Sequence, residues 1–492
     1  MHSLPANIYS VASVREIDRI AINDHGIAGY LLMNRAATAA VRVARSRFPE
    51  AKRWQVICGA GNNGGDGYVV ARLAAQDGIV VSVVTLVDPE TLSGDAATAY
   101  GDFAAEGGIV MPWQGNLDAE AELLVDAMLG SGLERAVGGD FAAAVAAINA
   151  HPAPVHAMDI ATGINGDSGE VMGCAVVADL TTTFVGLKAG LFLGEGPNHC
   201  GEITFDDLEI PDVCRTGIAA AFRRIDGGYL SNLLPKRRRG AHKGDFGRVL
   251  VVAGGPGMPG AARLCGEAAL RCGAGRVTIA THPEHAMMIT ATRPELMCQA
   301  IATVEDLAAL LDTADVVAFG PGLGQSDWAK SLYALLEDSD KPAVWDADAL
   351  NVLSNVPKRA ENRVITPHPG EAGTLLQCGA AKVQSDRPAA VSALVEKFGG
   401  VAVLKGAGTL ISDGGGLPAI CTAGNPGMAA AGMGDILAGV IAAFLAQGLS
   451  LSEAATVGVE VHARAGDIAA LGGERGMLAS DVLSALRGVV NP

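Results

Sequence analysis

The chain has 492 residues, 49% of them apolar, with a formal charge of −17. That length exceeds one ordinary core and predicts two domains, while the acidic balance argues against nucleic-acid and anionic-lipid partners. The 64 glycines lack a three-residue period, and the nine cysteines form no CxxC pair or Cys/His cluster, which excludes a fibrous chain, a disulfide framework and a zinc site.

In chain order, residues 10–47 read as two amphipathic helices. Residues 54–58 predict a strand, followed by a glycine-rich loop and a helix from about Gly67. Further strands are predicted at 80–87, 123–127 and 155–158. Strand, loop, helix, strand in this order predicts a parallel sheet flanked by helices. The pattern is lost over 201–230. The basic run Lys236-Arg237-Arg238-Arg239 then reads as a solvated linker rather than a nucleic-acid contact.

These features place domains at 1–225 and 226–492. The second restarts the logic with a strand at 248–253, a glycine loop at 254–260 and a helix at 261–272. Strands follow at 276–281, 316–319, 343–346, 364–366 and 401–404. Right-handed crossovers bring the C-terminal strand ends to one edge, where open α/β sheets bind ligands. No basic and apolar leader precedes the first helix. The longest apolar stretch, 436–446, is too short for a bilayer, so a soluble cytoplasmic protein without membrane partners is expected.

The first candidate site opens with Gly59-Ala60-Gly61-Asn62-Asn63-Gly64-Gly65-Asp66-Gly67. Its backbone N–H groups can cradle a phosphate at a helix start, although a purely structural turn reads equally from the glycines alone. Asp126 and Asp159 end two other strands, where each could instead cap the next helix. Asn63, Asp126 and Thr162 offer oxygen only, which suits a hard cation.

Together with DAMLGSG, DIATG and TFVGLKAGLFLGEGPNHCGEI, this segment resembles the NAD(P)H-hydrate epimerase (YjeF N-terminal) family over residues 10–215. The resemblance implies a Rossmann-like three-layer domain that interconverts the R and S forms of NADHX and NADPHX, cofactors hydrated at C6 of the nicotinamide ring. It implies a potassium ion on Asn63, Asp126 and Thr162. It also implies substrate contacts from Asn62, Asn63, Gly64, Gly65, Asp66, Gly130, Ser131, Gly132, Leu133, Glu134, Arg135, Ala136 and Asp159. Asp159 is the expected acid/base. The family's usual Asp-Ile-Pro-Ser-Gly is Asp159-Ile160-Ala161-Thr162-Gly163 here, which keeps a hydroxyl and loses a rigid proline.

The second candidate site lies in Gly424-Asn425-Pro426-Gly427-Met428-Ala429-Ala430-Ala431-Gly432-Met433-Gly434-Asp435. Small residues and free N–H groups at a helix start form an anion hole. Asp435 beside it suits a base that takes a proton from a hydroxyl about to be phosphorylated, against the plainer reading of an acid in a helix first turn. Lys405-Gly406-Ala407-Gly408-Thr409 follows a strand without Walker spacing. His368, between two prolines, reads as a substrate contact.

With HKGDFGRVLVVAGG, MPGAARL, FGPGLG, WDADAL, TPHPGEA and VLKGAGT, these residues resemble the ADP-dependent NAD(P)H-hydrate dehydratases of the ribokinase-like superfamily. The resemblance implies that ADP or ATP, with magnesium, phosphorylates the C6 hydroxyl so that phosphate can leave. Asp435 is the implied base. Ala261, Gly322, His368 and Asp435 are the implied substrate contacts; Lys405, Gly406, Ala407, Gly408, Thr409 and Gly434 map to the nucleotide. Ala431 and Met433 replace the usual Gly and Ser/Thr, putting the anion hole's side chains in question. A homo-oligomer is expected. Against this bifunctional enzyme stand two other readings, a ribokinase-like vitamin or sugar kinase and a non-catalytic N-terminal binding module.

Overall fold

The computed structural model describes residues 4–291 and 293–491, and the chain divides into two compact units, Met1–Phe222 and Arg223–Pro492. Among the described residues no helix is long and apolar enough to cross a membrane.

The first unit is built on a seven-stranded sheet, ordered Val110–Pro112, Val80–Thr85, Arg53–Cys58, Leu123–Ala127, Val155–Met158, Leu180–Phe184 and Glu202–Asp206. Every neighbouring pair is parallel. Strands buried on both faces need covering helices. Gly29–Arg47, Asn62–Gln76 and Gly94–Ala105 supply them on one face, where Trp54, Val56, Leu123 and Val125 join one core. The amphipathic region 10–47 forms the helix Val11–Arg19, a short π-helical turn at Ile20–Asp24 and the helix Gly29–Arg47.

Three strands of this sheet are absent from the sequence expectation, Leu180–Phe184, Glu202–Asp206 and the short edge strand Val110–Pro112. The first carries three consecutive threonines, so it shows neither an apolar run nor alternation. Tertiary hydrogen bonds make it buriable: Thr181 Oγ1 donates to the Cys200 carbonyl at 2.7 Å, and the Thr182 and Thr204 hydroxyls meet at 2.9 Å. The helix expected from Gly67 begins at Asn62. Its glycines let the first turns lie on the strand ends, since a Cβ at Gly64 would sit 2.1 Å from the Gly59 carbonyl oxygen.

The second unit holds parallel strands in the order Met297–Ala300, Arg276–Thr281, Arg248–Val252, Val316–Phe319, Ala343–Trp345, Arg363–Ile365 and Val401–Leu404. Thr409–Ser412 and Ala419–Cys421 extend the sheet antiparallel. Helices Pro259–Arg271, Met433–Ala446, Leu451–Ala469 and Ala479–Val489 pack their buried residues into one continuous core with Val249, Val251, Val316 and Val401. At the crossing of the first two, a Cβ on Gly439 would come within 2.1 Å of the Cys265 carbonyl oxygen, so glycine sets how closely these helices approach. On the opposite face Trp345 meets Phe319 and Tyr333 edge-on, and these two rings lie tilted against each other.

Candidate functional site

In the first unit the C-terminal strand ends open into a cavity of about 900 Å³. Asn62, Asn63, Asp66, the run 130–135 and Asp159 all line it. Gly64 and Gly65 do not; they are buried where the helix meets its neighbours, and a Cβ on Gly65 would lie 2.6 Å from Met33 Cε. Ala136 is also absent from the wall, its Cβ turned toward Gly173.

Asp159 sits at φ +68°, a backbone region that only a strongly determined surrounding imposes on an aspartate. The turn holds because the Asp159 N–H donates to the Thr182 carbonyl at 2.8 Å. Its carboxylate is gripped on both oxygens. The Lys188 ammonium donates to Oδ1, and the Ser131 N–H donates to Oδ2 at 3.1 Å. Burial alone would raise this carboxyl, but Lys188, with the two hydrogen bonds, carries it below the usual carboxylate range.

Lys188 is the functional residue that sequence reasoning passed over. It is 1% exposed, and its other two donors go to Thr183 Oγ1 at 3.0 Å and the Phe184 carbonyl at 2.9 Å. A lone lysine within the apolar Phe184-Val185-Gly186-Leu187-Lys188 was the available signal. Asp18 is the second omission. It follows Val11 and Val14 on the buried stripe of the first helix, at a position where the periodicity asks for an apolar residue.

Behind the cavity lies a closed ring of polar contacts. Thr162 donates to Asp126 from its backbone N–H at 2.8 Å and from its hydroxyl at 2.7 Å. The Met128 N–H adds a third bond at 3.2 Å. Burial still pushes Asp126 up to about 6. The Asn63 amide is buried with neither its oxygen nor its nitrogen partnered among the described residues.

In the second unit, Asp435 stands in the first turn of the helix Met433–Ala446, after a left-handed Gly432 at φ +89°. Burial, with Asp346 and Asp348 adding to it and Lys405 opposing, pushes its carboxyl up to about 6. Lys405 turns inward: its ammonium lies 2.7 Å from Asp346 Oδ1 and 3.7 Å from Glu371. Its backbone and Gly406 to Thr409, rather than its charge, are therefore what the loop presents outward. Arg387 holds that loop from behind, donating to the carbonyls of Leu404, Lys405 and Gly408 at 3.2–3.3 Å.

Ala261 and Gly322 are brought together, since a Cβ on Gly322 would lie 2.7 Å from that of Ala261. A Cβ on Gly434 would sit 3.1 Å from Asp346 Oδ2, joining the helix start to the acid cluster. His368 has a structural duty beyond substrate contact: its Nδ1 accepts from the Gly370 and Glu371 N–H groups and caps the helix Pro369–Leu375. That fixes the tautomer with the proton on Nε2. Met433 is buried in the core, not aimed at the anion hole, and Ala431 is exposed. The departures in this loop therefore leave the backbone donors in place.

Residues 249–487 match the family described as NAD(P)H-hydrate dehydratase, and residues 29–190 match the YjeF-related protein N-terminus. The chain is 47% identical to a bifunctional NAD(P)H-hydrate repair enzyme of Coxiella burnetii, covering 99% of both chains. It is 43% identical to one of Escherichia coli K12, over 100% of this chain and 95% of that one. A solved ribokinase-like superfamily protein from Enterococcus faecalis V583 is 29% identical, with a TM-score of 0.50, covering 55% of this chain and 95% of that one.

Proposed function

The chain belongs to the family of bifunctional NAD(P)H-hydrate repair enzymes, and we propose that its two sites divide that repair between them. The first unit inverts C6 of the hydrated nicotinamide ring in the Asp159 cavity. The second dehydrates the S form at Asp435. NADHX and NADPHX are the substrates, and the protein is a cytoplasmic homo-oligomer.

Asp435 carries the reading of the second site. A carboxylate at a helix start, with its proton affinity raised to about 6, is matched to accepting a proton near neutrality. Asp435 takes the C6 hydroxyl proton as that oxygen attacks the terminal phosphoryl group of ADP or ATP. The Gly432 to Gly434 amides face the charge that develops on the phosphoryl oxygens. Phosphate then leaves C6 with the bonding pair, the ring nitrogen supplies electrons, and loss of a C5 proton restores the dihydronicotinamide. Among the described residues Asp435 and its acidic neighbours form no three-ligand metal cluster, and Asp346 is already paired with Lys405, so magnesium would arrive on the nucleotide phosphates and screen their charge there.

In the first unit, Asn63, Asp126 and Thr162 would hold potassium. The unpartnered Asn63 amide and the fully buried Asp126, with no cationic side chain bonded to it among the described residues, support that set. Bound there, the ion would neutralise Asp126 and steady the turn after it.

The test follows absorbance of the reduced nicotinamide, first with the S form and then with an R/S mixture, with ADP or ATP. Asp159→Ala should stop use of the R form while the S form is still repaired. Equal loss of both would undo the division. Release of inorganic phosphate, rather than accumulation of a phosphorylated substrate, separates this enzyme from a kinase.

A further inference from the structure

The Asp159 cavity contains a second carboxyl group that no contact immobilises. Asp18 projects from the helix Val11–Arg19 into the same space as Asp159, Lys188 and Asn62. Unlike Asp159, it makes no hydrogen bond or ion pair with any described residue. The lysine cannot serve it, because all three ammonium hydrogens are already directed to Asp159, Thr183 and Phe184. Asp66 and Asp95 line the cavity as well, and burial holds Asp66 well above the usual carboxylate range. One cavity thus holds Asp159, paired with Lys188, and Asp18, with no bonded partner among the described residues.

Inversion at a carbon bearing both nitrogen and hydroxyl asks for that pair. The hydroxyl must leave one face as water, which takes a proton from an acid. The ring nitrogen lone pair forms a C6–N1 double bond as the C6–O pair departs. A water molecule then adds to the opposite face and gives its extra proton to a base. Two faces call for two groups. We propose that Asp18 is the second proton-transfer residue of epimerisation, donating to the departing hydroxyl while Asp159 accepts from the entering water, with the roles reversed in the opposite direction. This rests on the assignment of epimerisation to the Asp159 cavity. Atoms balance: one water leaves, one enters, and one proton passes from Asp18 to Asp159, to be returned by the reverse turnover or by solvent.

The surroundings agree. Burial pushes Asp18 up to about 6, with Lys188 opposing and Asp159 adding to the shift. The other charged groups facing the cavity are Asp66, Asp95, Arg15, Glu134 and Arg135, and Arg15 is drawn toward Glu134 at 3.6 Å. Because the pair works only while sharing one proton, kcat/KM in both directions should fall as pH rises beyond about 6.

The experiment uses the full-length chain and measures R-to-S interconversion without nucleotide, then repair of pure S form with ADP or ATP. Asp18→Asn should lower epimerisation kcat by about 100-fold or more with little change in KM, leave S-form repair intact and remove the alkaline fall. Asp18→Glu, which keeps the carboxyl, should recover part of the rate and restore the fall. Epimerisation within about threefold of wild type in Asp18→Asn, alongside an inactive Asp159→Asn, would overturn the role of Asp18 alone. A rise in KM with kcat unchanged would overturn it too, by making Asp18 a binding group. If Asp159→Asn is also as active as wild type, the failure belongs to the assignment of the cavity.

Discussion

At the scale of single residues, folding shifts the two aspartates proposed for the chemistry in opposite directions. Asp159 is ionised by Lys188, whereas Asp435 is pushed up to about 6 by burial and by the acids around it. The second shift opposes stability. A carboxyl whose affinity rises on folding binds its proton more tightly folded than unfolded, so its contribution is present at low pH and lost as pH rises through about 6. From an ordinary 3.8 to about 6 is about two units, or roughly 3 kcal/mol against the folded form at neutral pH. Asp435→Asn should therefore abolish dehydration, by about 100-fold or more, while raising the melting temperature at pH 7.5 and leaving it little changed at pH 4. Calorimetry at the two pH values, beside the repair assay, checks both halves. In the wild type, dehydration should rise with pH through about 6 as Asp435 ionises.

At the scale of elements, the loop from Lys405 to Thr409 shows how a backbone site is shaped from behind. Its carbonyls converge on the buried Arg387, which has no carboxylate partner among the described residues. Burial pushes that guanidinium down to about 10; three carbonyls and Gln384 take its two terminal nitrogens, while Nε has no partner among the described residues. Lysine cannot reproduce a planar fork that reaches three carbonyls at once. Arg387→Lys should raise the KM for the nucleotide by about tenfold, with a smaller effect on kcat at saturation, since the loop positions the donor without taking part in proton transfer. Steady-state kinetics with nucleotide varied at saturating S form measures it. An equal fall in kcat at unchanged KM would mean that the loop serves the chemistry itself. The sequence marked this loop by its glycines, but Arg387 lies 18 positions upstream on another helix, with no local signal of what it holds.

At the scale of the whole molecule, the two proposed sites lie in different units of the chain. Ion dependence should separate with them. Replacing potassium by a large organic cation should slow R-to-S conversion by about tenfold or more while S-form repair continues, because the proposed ligands Asn63, Asp126 and Thr162 all lie in the first unit. Measuring both rates in the two salts at equal ionic strength decides it, and equal effects on both would remove the ion from the first unit. Much of this architecture was legible in the chain. The strands Leu123–Ala127, Val155–Met158, Arg276–Thr281 and Val401–Leu404 fall where apolar runs place them, because strands covered on both faces are predominantly apolar. The motifs at their ends carried the family and the activity. The threonine strand Leu180–Phe184 was hidden, since its burial depends on hydroxyl partners in Cys200 and Thr204 rather than on hydrophobicity.

By itself the sequence determined two α/β units, the strand ends that bear the acids, and Asp159 and Asp435 as the groups to watch, because periodicity and local turn chemistry are written in neighbouring residues. Only the tertiary structure decided what state those acids are in. Lys188 ionises Asp159, Asp18 lines the same cavity without a bonded partner among the described residues, Lys405 turns toward Asp346, and Met433 withdraws into the core. Proton affinity is set by burial and by charges that converge through folding from distant parts of the chain, and spacing along a sequence does not record that convergence.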